Sequence, residues 1–222
     1  MKKKLLLLIA PLFLTIGCGE TTSSERVETE EGKLLNQLIQ VDNLTEIRKS
    51  VTITKDNVKY YDYYELSYFD EQDGLIYVNS RTNKYNDLST PLLTSTITDE
   101  VYYDGLYSYT LESDNVYYKE SNKREIKFFN LDYDFSKLDN LKIEEKGYKK
   151  ILTGEVNEEN INAFFKETKD KISEVIVSST NNDKTVERID ISYINNGYKV
   201  TEYYNISQFA KDLTLPKLIR TK

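Results

Sequence analysis

The sequence predicts a mainly β chain with short helices, an α+β domain built on an antiparallel sheet of hairpins and meanders. Three observations predict it. The chain carries 19 Tyr and 8 Phe in 222 residues, an aromatic load that suits pleated, half-buried strands. Segments of alternating character recur, separated by short Asp-, Asn- and Gly-containing turns. Helical spacing is confined to two short stretches.

The elements follow in order. Residues 33–49 place Leu34, Leu35, Leu38, Val41, Leu44 and Ile47 at three- and four-residue intervals, which predicts helix, with Asp42-Asn43 available to cap a second short helix over 44–49. Val51 and Ile53 then alternate with Thr52 and Thr54, and the period changes to that of a strand. Val58 to Phe69 is a Tyr-rich strand, Asp73-Gly74 a turn, and 75–80 the returning strand. Between Glu100 and Glu120 the turns at Asp104-Gly105 and Ser113-Asp114-Asn115 divide a three-strand meander. Residues 125–129 and 148–156 read as further strands. A short helix is expected over 158–169, with Asn157 as its cap, Glu158 and Glu159 in its first turn, and Ile161, Phe164 and Phe165 as its apolar face. A last meander occupies 173–206, turning at Asn181-Asn182-Asp183 and Asn196-Gly197. In its final strand Tyr198, Val200, Tyr204 and Ile206 share one face, and Glu202 is the polar exception among them.

The N-terminus is different in kind. Met1-Lys2-Lys3-Lys4 precedes a 12-residue apolar stretch, Leu5 to Ile16, which is too short to span a bilayer, and then Gly17-Cys18. The segment resembles a bacterial lipoprotein signal with Thr15-Ile16-Gly17-Cys18 as its lipobox. It departs from that family's pattern in having Thr15 where Leu is usual. The resemblance implies a signal peptide at 1–17, cleavage before Cys18, a diacylglycerol thioether on its sulfur and acylation, palmitate-like, of the new amino terminus. Two or three chains would hold the protein where one would be marginal. Residues 18–32 then comprise the lipidated Cys18 and a flexible acidic tether, and 33–222 a single antiparallel β-rich domain. The expected location is the extracytoplasmic face of the cell membrane.

Composition excludes several classes of function. With no His, Ser-His-Asp and Cys-His catalysis and His metal ligation are out, and a single Cys removes internal disulfides and Cys-clustered metal sites. None of the 8 glycines forms a phosphate loop, a dinucleotide fingerprint or a nucleophile elbow. Ser-x-x-Lys does not occur. Asp132, Asp134 and Asp139 lack the Gly turn and terminal Glu of a calcium loop and read as a polar loop or cap. A carboxylate pair could in principle serve a glycosidase, but among 37 acids nothing singles two out. Net charge is −7; without residues 1–17, 27 basic and 37 acidic residues leave −10, which disfavours nucleic-acid phosphates. No enzyme, cofactor or metal is therefore expected. The Tyr clusters at 60–68, 102–118 and 193–204 fit either an aromatic interaction surface or strands with two half-wet faces.

The order of elements, with the strand Tyr203-Tyr204-Asn205-Ile206-Ser207-Gln208-Phe209 and the tail Leu213-Thr214-Leu215-Pro216, is similar to lipoprotein-carrier-like chains of the LolA/LppX type. It also resembles small Gram-positive lipoproteins of unknown function. The resemblance implies a strongly curved, half-barrel-like sheet with one or two helices packed on its concave face. It also implies a non-enzymatic binding module for an apolar or lipid-like ligand, with Ile161, Phe164 and Phe165 as a lid. The alternative is an envelope interaction protein (inhibitor, adhesin or complex partner) using the Tyr-rich sheet surface.

Overall fold

The computed structural model describes residues 29–86, 92–166, 171–182, 184–208 and 212–221. One helix, α1 (Glu30–Ile39), precedes eleven strands in an open curved sheet. They are β1 (Glu46–Lys55), β2 (Val58–Asp70), β3 (Leu75–Tyr85), β4 (Leu93–Tyr103), β5 (Tyr107–Ser113), β6 (Val116–Ser121), β7 (Leu138–Lys146), β8 (Lys149–Val156), β9 (Ile172–Asn181), β10 (Val186–Asn195) and β11 (Tyr198–Ser207). A four-residue helix, α2 (Ile161–Phe164), follows β8, and a short strand, β12 (Ile219–Thr221), closes the chain. Their order across the sheet is β12-β6-β5-β4-β3-β2-β1-β11-β10-β9-β8-β7. All neighbours are antiparallel except β12, which runs parallel to β6. The β1–β11 pairing, Ile53 on Val200 to Ile47 on Ile206, joins the two meanders into one sheet.

Turn chemistry sets most of the hairpins. Asp56-Asn57, Asp114-Asn115 and Asn196-Gly197 each place two consecutive residues at positive φ, the arrangement a two-residue hairpin loop needs to match strand twist. Gly105 is also at positive φ, but Asp104 is not. There the Asp104 carboxylate accepts from the Leu106 and Tyr107 amides and shapes an Asx turn instead.

Both α-helices lie on one face, called here the inner face, over β7–β9. Leu38 and Leu44 meet Ile47, Ile189, Ile191 and Tyr204 of the sheet, with Val175 and Val177 of β9 and Phe164 of α2, in the main core. A smaller core lies on the outer face, where Tyr68 and Leu75 pack against Leu213 of the C-terminal segment.

Four expectations are corrected. The helix read over 33–49 starts earlier, at Glu30 behind the Thr29 cap, and stops at Ile39; residues 46–49 belong to β1 and no second helix forms. The apolar spacing misled because Leu38, Leu44 and Ile47 reach the same core from a helix, a linker and a strand in turn. Residues 125–129 form no strand; Phe129 makes only an isolated bridge to Leu44. The helix read over 158–169 is a 3-10 turn at Glu158–Asn160 followed by α2, ending at Phe164, and Lys169 lies outside the described residues. Asn157 spends its amide on the Asp139 carboxylate, 2.6 Å away, rather than on a cap. Finally, β7 replaces the polar loop expected around Asp139, while Asp134 does cap the 3-10 turn at Phe135–Lys137.

Candidate functional site

The inner face of the sheet offers two places with binding chemistry. The first is a groove of about 640 Å³ between α1 and the adjoining ends of β10 and β11. Val41, Leu44, Val186 and Ile206 give it an apolar floor, and Gln37, Gln40, Asn182 and Gln208 give it an amide rim. Alternation places Ile206 there, on the same face as Tyr204. The linker after α1 supplies Val41 and Leu44 because the Leu44 amide and carbonyl bond Phe129, which ties that linker across the core. The rim is ordered by local bonds: Asn182 accepts from the Lys184 and Thr185 amides and donates to Glu187, and Gln208 donates to the Asp42 carbonyl. Lys149 also binds Glu187, and with Asn182 it holds that carboxyl below the usual carboxylate range.

The second is a polar centre at Glu202, midway along the inner face. Glu202 is buried and accepts from Tyr193 (2.8 Å), Tyr204 (2.6 Å) and Tyr133 (3.1 Å), with the Lys49 ammonium at 3.4 Å. Burial pushes its carboxyl up, but Lys49 and the three hydroxyls outweigh that, and it lies below the usual range. Burial, with the neighbouring Tyr133 and the Glu202 charge, drives the Tyr204 hydroxyl strongly upward, so it stays a donor. Every oxygen of this carboxylate is satisfied. The cluster ties β1, β10, β11 and the 130–134 loop together.

The sequence-derived lid residues lie together beside this centre. Ile161, Phe164 and Phe165 are all buried, and Phe164 has zero exposure. Its ring contacts Tyr133, Phe135 and Phe165, and its carbonyl accepts from the Asp134 amide. These residues fill the covered half of the sheet, while the groove opens to one side of them. Cys18 lies outside the described residues.

The Tyr clusters divide between faces. Tyr68, Tyr77, Tyr102 and Tyr117 form a ladder across β2, β3, β4 and β6 on the outer face, with ring centroids 4.8–6.1 Å apart. The C-terminal segment runs from the Tyr68 end of that ladder to the Tyr117 end. The Leu213 amide bonds the buried Asp70 carboxylate at 2.7 Å, the Leu218 carbonyl accepts from the Tyr117 amide, and Leu213 and Leu215 cover Tyr68 and Leu66. That bond is the main reason the Asp70 carboxyl is held low. Sequence reasoning missed this strap. The signal present, Leu213-x-Leu215 after β11, has no periodicity that assigns it a face.

Among the described residues no group of three or more acidic, Cys or His side chains is arranged to hold a metal ion, and no helix is long and apolar enough to cross a membrane. No protein-family model matches the sequence, and no curated protein matches it. Among solved structures, the chain is similar to LprF from Mycobacterium bovis, at 12% sequence identity over 85% of this chain and 96% of that one, with a TM-score of 0.47.

Proposed function

We propose that the chain is a membrane-anchored extracytoplasmic lipoprotein, lipidated on Cys18, that acts without catalysis as a binding module for an apolar or lipid-like ligand. The groove between α1 and the β10–β11 ends carries the reading: there, apolar side chains of the inner face border open space. Its floor of Val41, Leu44, Val186 and Ile206 suits an acyl or similar chain, and its rim of amides with Lys184 and Glu187 suits a polar head. The anchor supports it. Twelve residue steps separate Cys18 from Glu30, which at full extension is about 43 Å, so a lipidated Cys18 would keep the groove within reach of the bilayer.

Mass spectrometry of the full chain extracted from membranes tests both parts at once. Under denaturing conditions the mature protein is expected to begin at Cys18 and carry acyl mass. Under native conditions it is expected to carry a further apolar adduct, which Ile206→Glu removes while the far-ultraviolet spectrum is unchanged. A mature protein without acyl mass defeats the anchor. An adduct-free protein that also fails to take up a fluorescent acyl probe, or an adduct indifferent to Ile206→Glu, defeats the groove.

A further inference from the structure

β4 is eleven residues long and pairs with β3 along its whole length, yet β5 pairs with only Val101–Tyr103 of it. The β5–β6 hairpin turns back at Asp114-Asn115, so the sheet has a step. Below that step, among the described residues, the first part of β4 has one row of backbone N–H and C=O groups with no strand beside it. Residues 93–99 are exposed on both faces, Leu93 and Ile97 at 56% and 52%. Leu93-Thr94-Ser95-Thr96-Ile97-Thr98 contains no charge, Pro or Gly.

The contrast with β7 is informative. As the last strand of the sheet, β7 carries Asp139, Lys142, Glu144, Glu145 and Lys146. Charges of that kind stop an edge from pairing with another chain. β7 has this protection and the free part of β4 lacks it.

We propose that β4 is a self-pairing edge, at which two copies of this chain join antiparallel about a two-fold axis through Thr96. Thr96 then faces Thr96, and Ser95 of each copy faces Ile97 of the other, so the contact brings together β-branched and small neutral side chains and no like charges. The register keeps clear of β5, whose pairing with β4 begins at Val101 and whose Leu111–Ser113 end borders Thr98–Glu100, so the new pairs centre on Ser95–Ile97. An isologous contact of this kind closes on itself, so it makes a dimer and not a fibre.

Cysteine cross-linking of the full chain in its membrane tests this, with the wild type alongside as background for Cys18. Antiparallel partners lie about 4.5–5.5 Å apart between Cα atoms, inside the roughly 4.4–6.8 Å range of a disulfide. Thr96→Cys is therefore expected to give a disulfide dimer under mild oxidant. Thr98→Cys is expected to give far less, since its two copies are offset by four residues, roughly 13 Å. Ile97→Lys sets two ammonium groups about 7 Å apart and is expected to convert the detergent-solubilised dimer to monomer in light scattering. Monomer mass with no cross-link at Thr96→Cys, equal cross-linking at Thr96→Cys and Thr98→Cys, or a cross-link to a different polypeptide would each overturn the proposal.

Discussion

Replacing Phe164 by Ala probes the covered half of the sheet most directly. The ring has zero exposure and lies 5.3 Å from Tyr133, 6.0 Å from Phe135 and 5.1 Å from Phe165, centroid to centroid. Truncation removes the transfer energy of a buried ring and leaves a cavity, for about 3–5 kcal/mol. The upper part of that range applies, because the surviving walls are themselves large. Three rings and Val175 and Val177 of the sheet stand around the site, and the bond from the Asp134 amide to the Phe164 carbonyl holds α2 in place against collapse. In a chain of this size that corresponds to a fall of roughly 8–20 °C in Tm. Urea titration followed by far-ultraviolet dichroism and by Tyr fluorescence gives the value, provided the two transitions coincide. A loss below about 1 kcal/mol, the scale of an ordinary surface change, would mean that α2 does not plug this core. Hydrogen exchange adds a functional readout: protection of residues 158–166 that rises when an acyl probe binds marks α2 as a gate, and unchanged protection marks it as a fixed wall.

Two further outcomes follow from single groups. Because the Glu202 carboxyl is held below its ordinary value of 4.5 in the folded state, its contribution to stability is fully present above that pH and is lost as pH falls through the folded value. Urea midpoints measured from pH 6 downward should therefore fall less steeply for Glu202→Gln than for the wild type below about pH 4.5, and equal slopes would contradict the assignment. Gly154→Ala should cost about 1–3 kcal/mol by overpacking, since a Cβ there would sit 2.9 Å from Leu141 Cδ2 and 3.2 Å from Leu138 Cβ. An unchanged midpoint would show that β7 and β8 can part at no cost.

Hairpins were legible where the turn carries its own chemistry. Asn196-Gly197 and Asp114-Asn115 stand between alternating runs, and the strands on either side came out nearly as read. β7 was not legible, because its pairing breaks between Asp139 and Lys142 and its side chains are mostly charged, as an edge strand allows. The close approach at Gly154 leaves no trace in a linear sequence. The centre at Glu202 was half legible. Its place on an otherwise apolar strand face marked it as an exception, but Lys49 and Tyr133 are brought to it only by the β1–β11 pairing and by the 130–134 loop. The groove was not legible at all, since Gln37, Val186 and Ile206 belong to three elements that no local pattern relates.

The distribution of packing decides which element can open at lower cost. Around α2, Ile161, Phe164 and Phe165 are all buried, and the two phenylalanines are joined to Tyr133, Phe135 and Tyr193 by ring contacts, so lifting that helix exposes several large side chains together. α1 is longer but buries only Leu34 and Leu38. Gln37 Oε1 has no hydrogen-bond partner although it is buried, and so does Asn181 Oδ1 on β9. An unsatisfied buried acceptor costs about 1–3 kcal/mol in the closed state, and that cost disappears when the group meets water. Moving α1 therefore loses the packing of Leu34, Leu35 and Leu38 and the Glu30–Lys150 ion pair, while it relieves Gln37. α1 is also the element that walls the groove and the one joined directly to the segment after Cys18. Low-stability elements are the ones that move in binding proteins, and on this reckoning the seam between α1 and the sheet opens at lower cost than the one beneath α2.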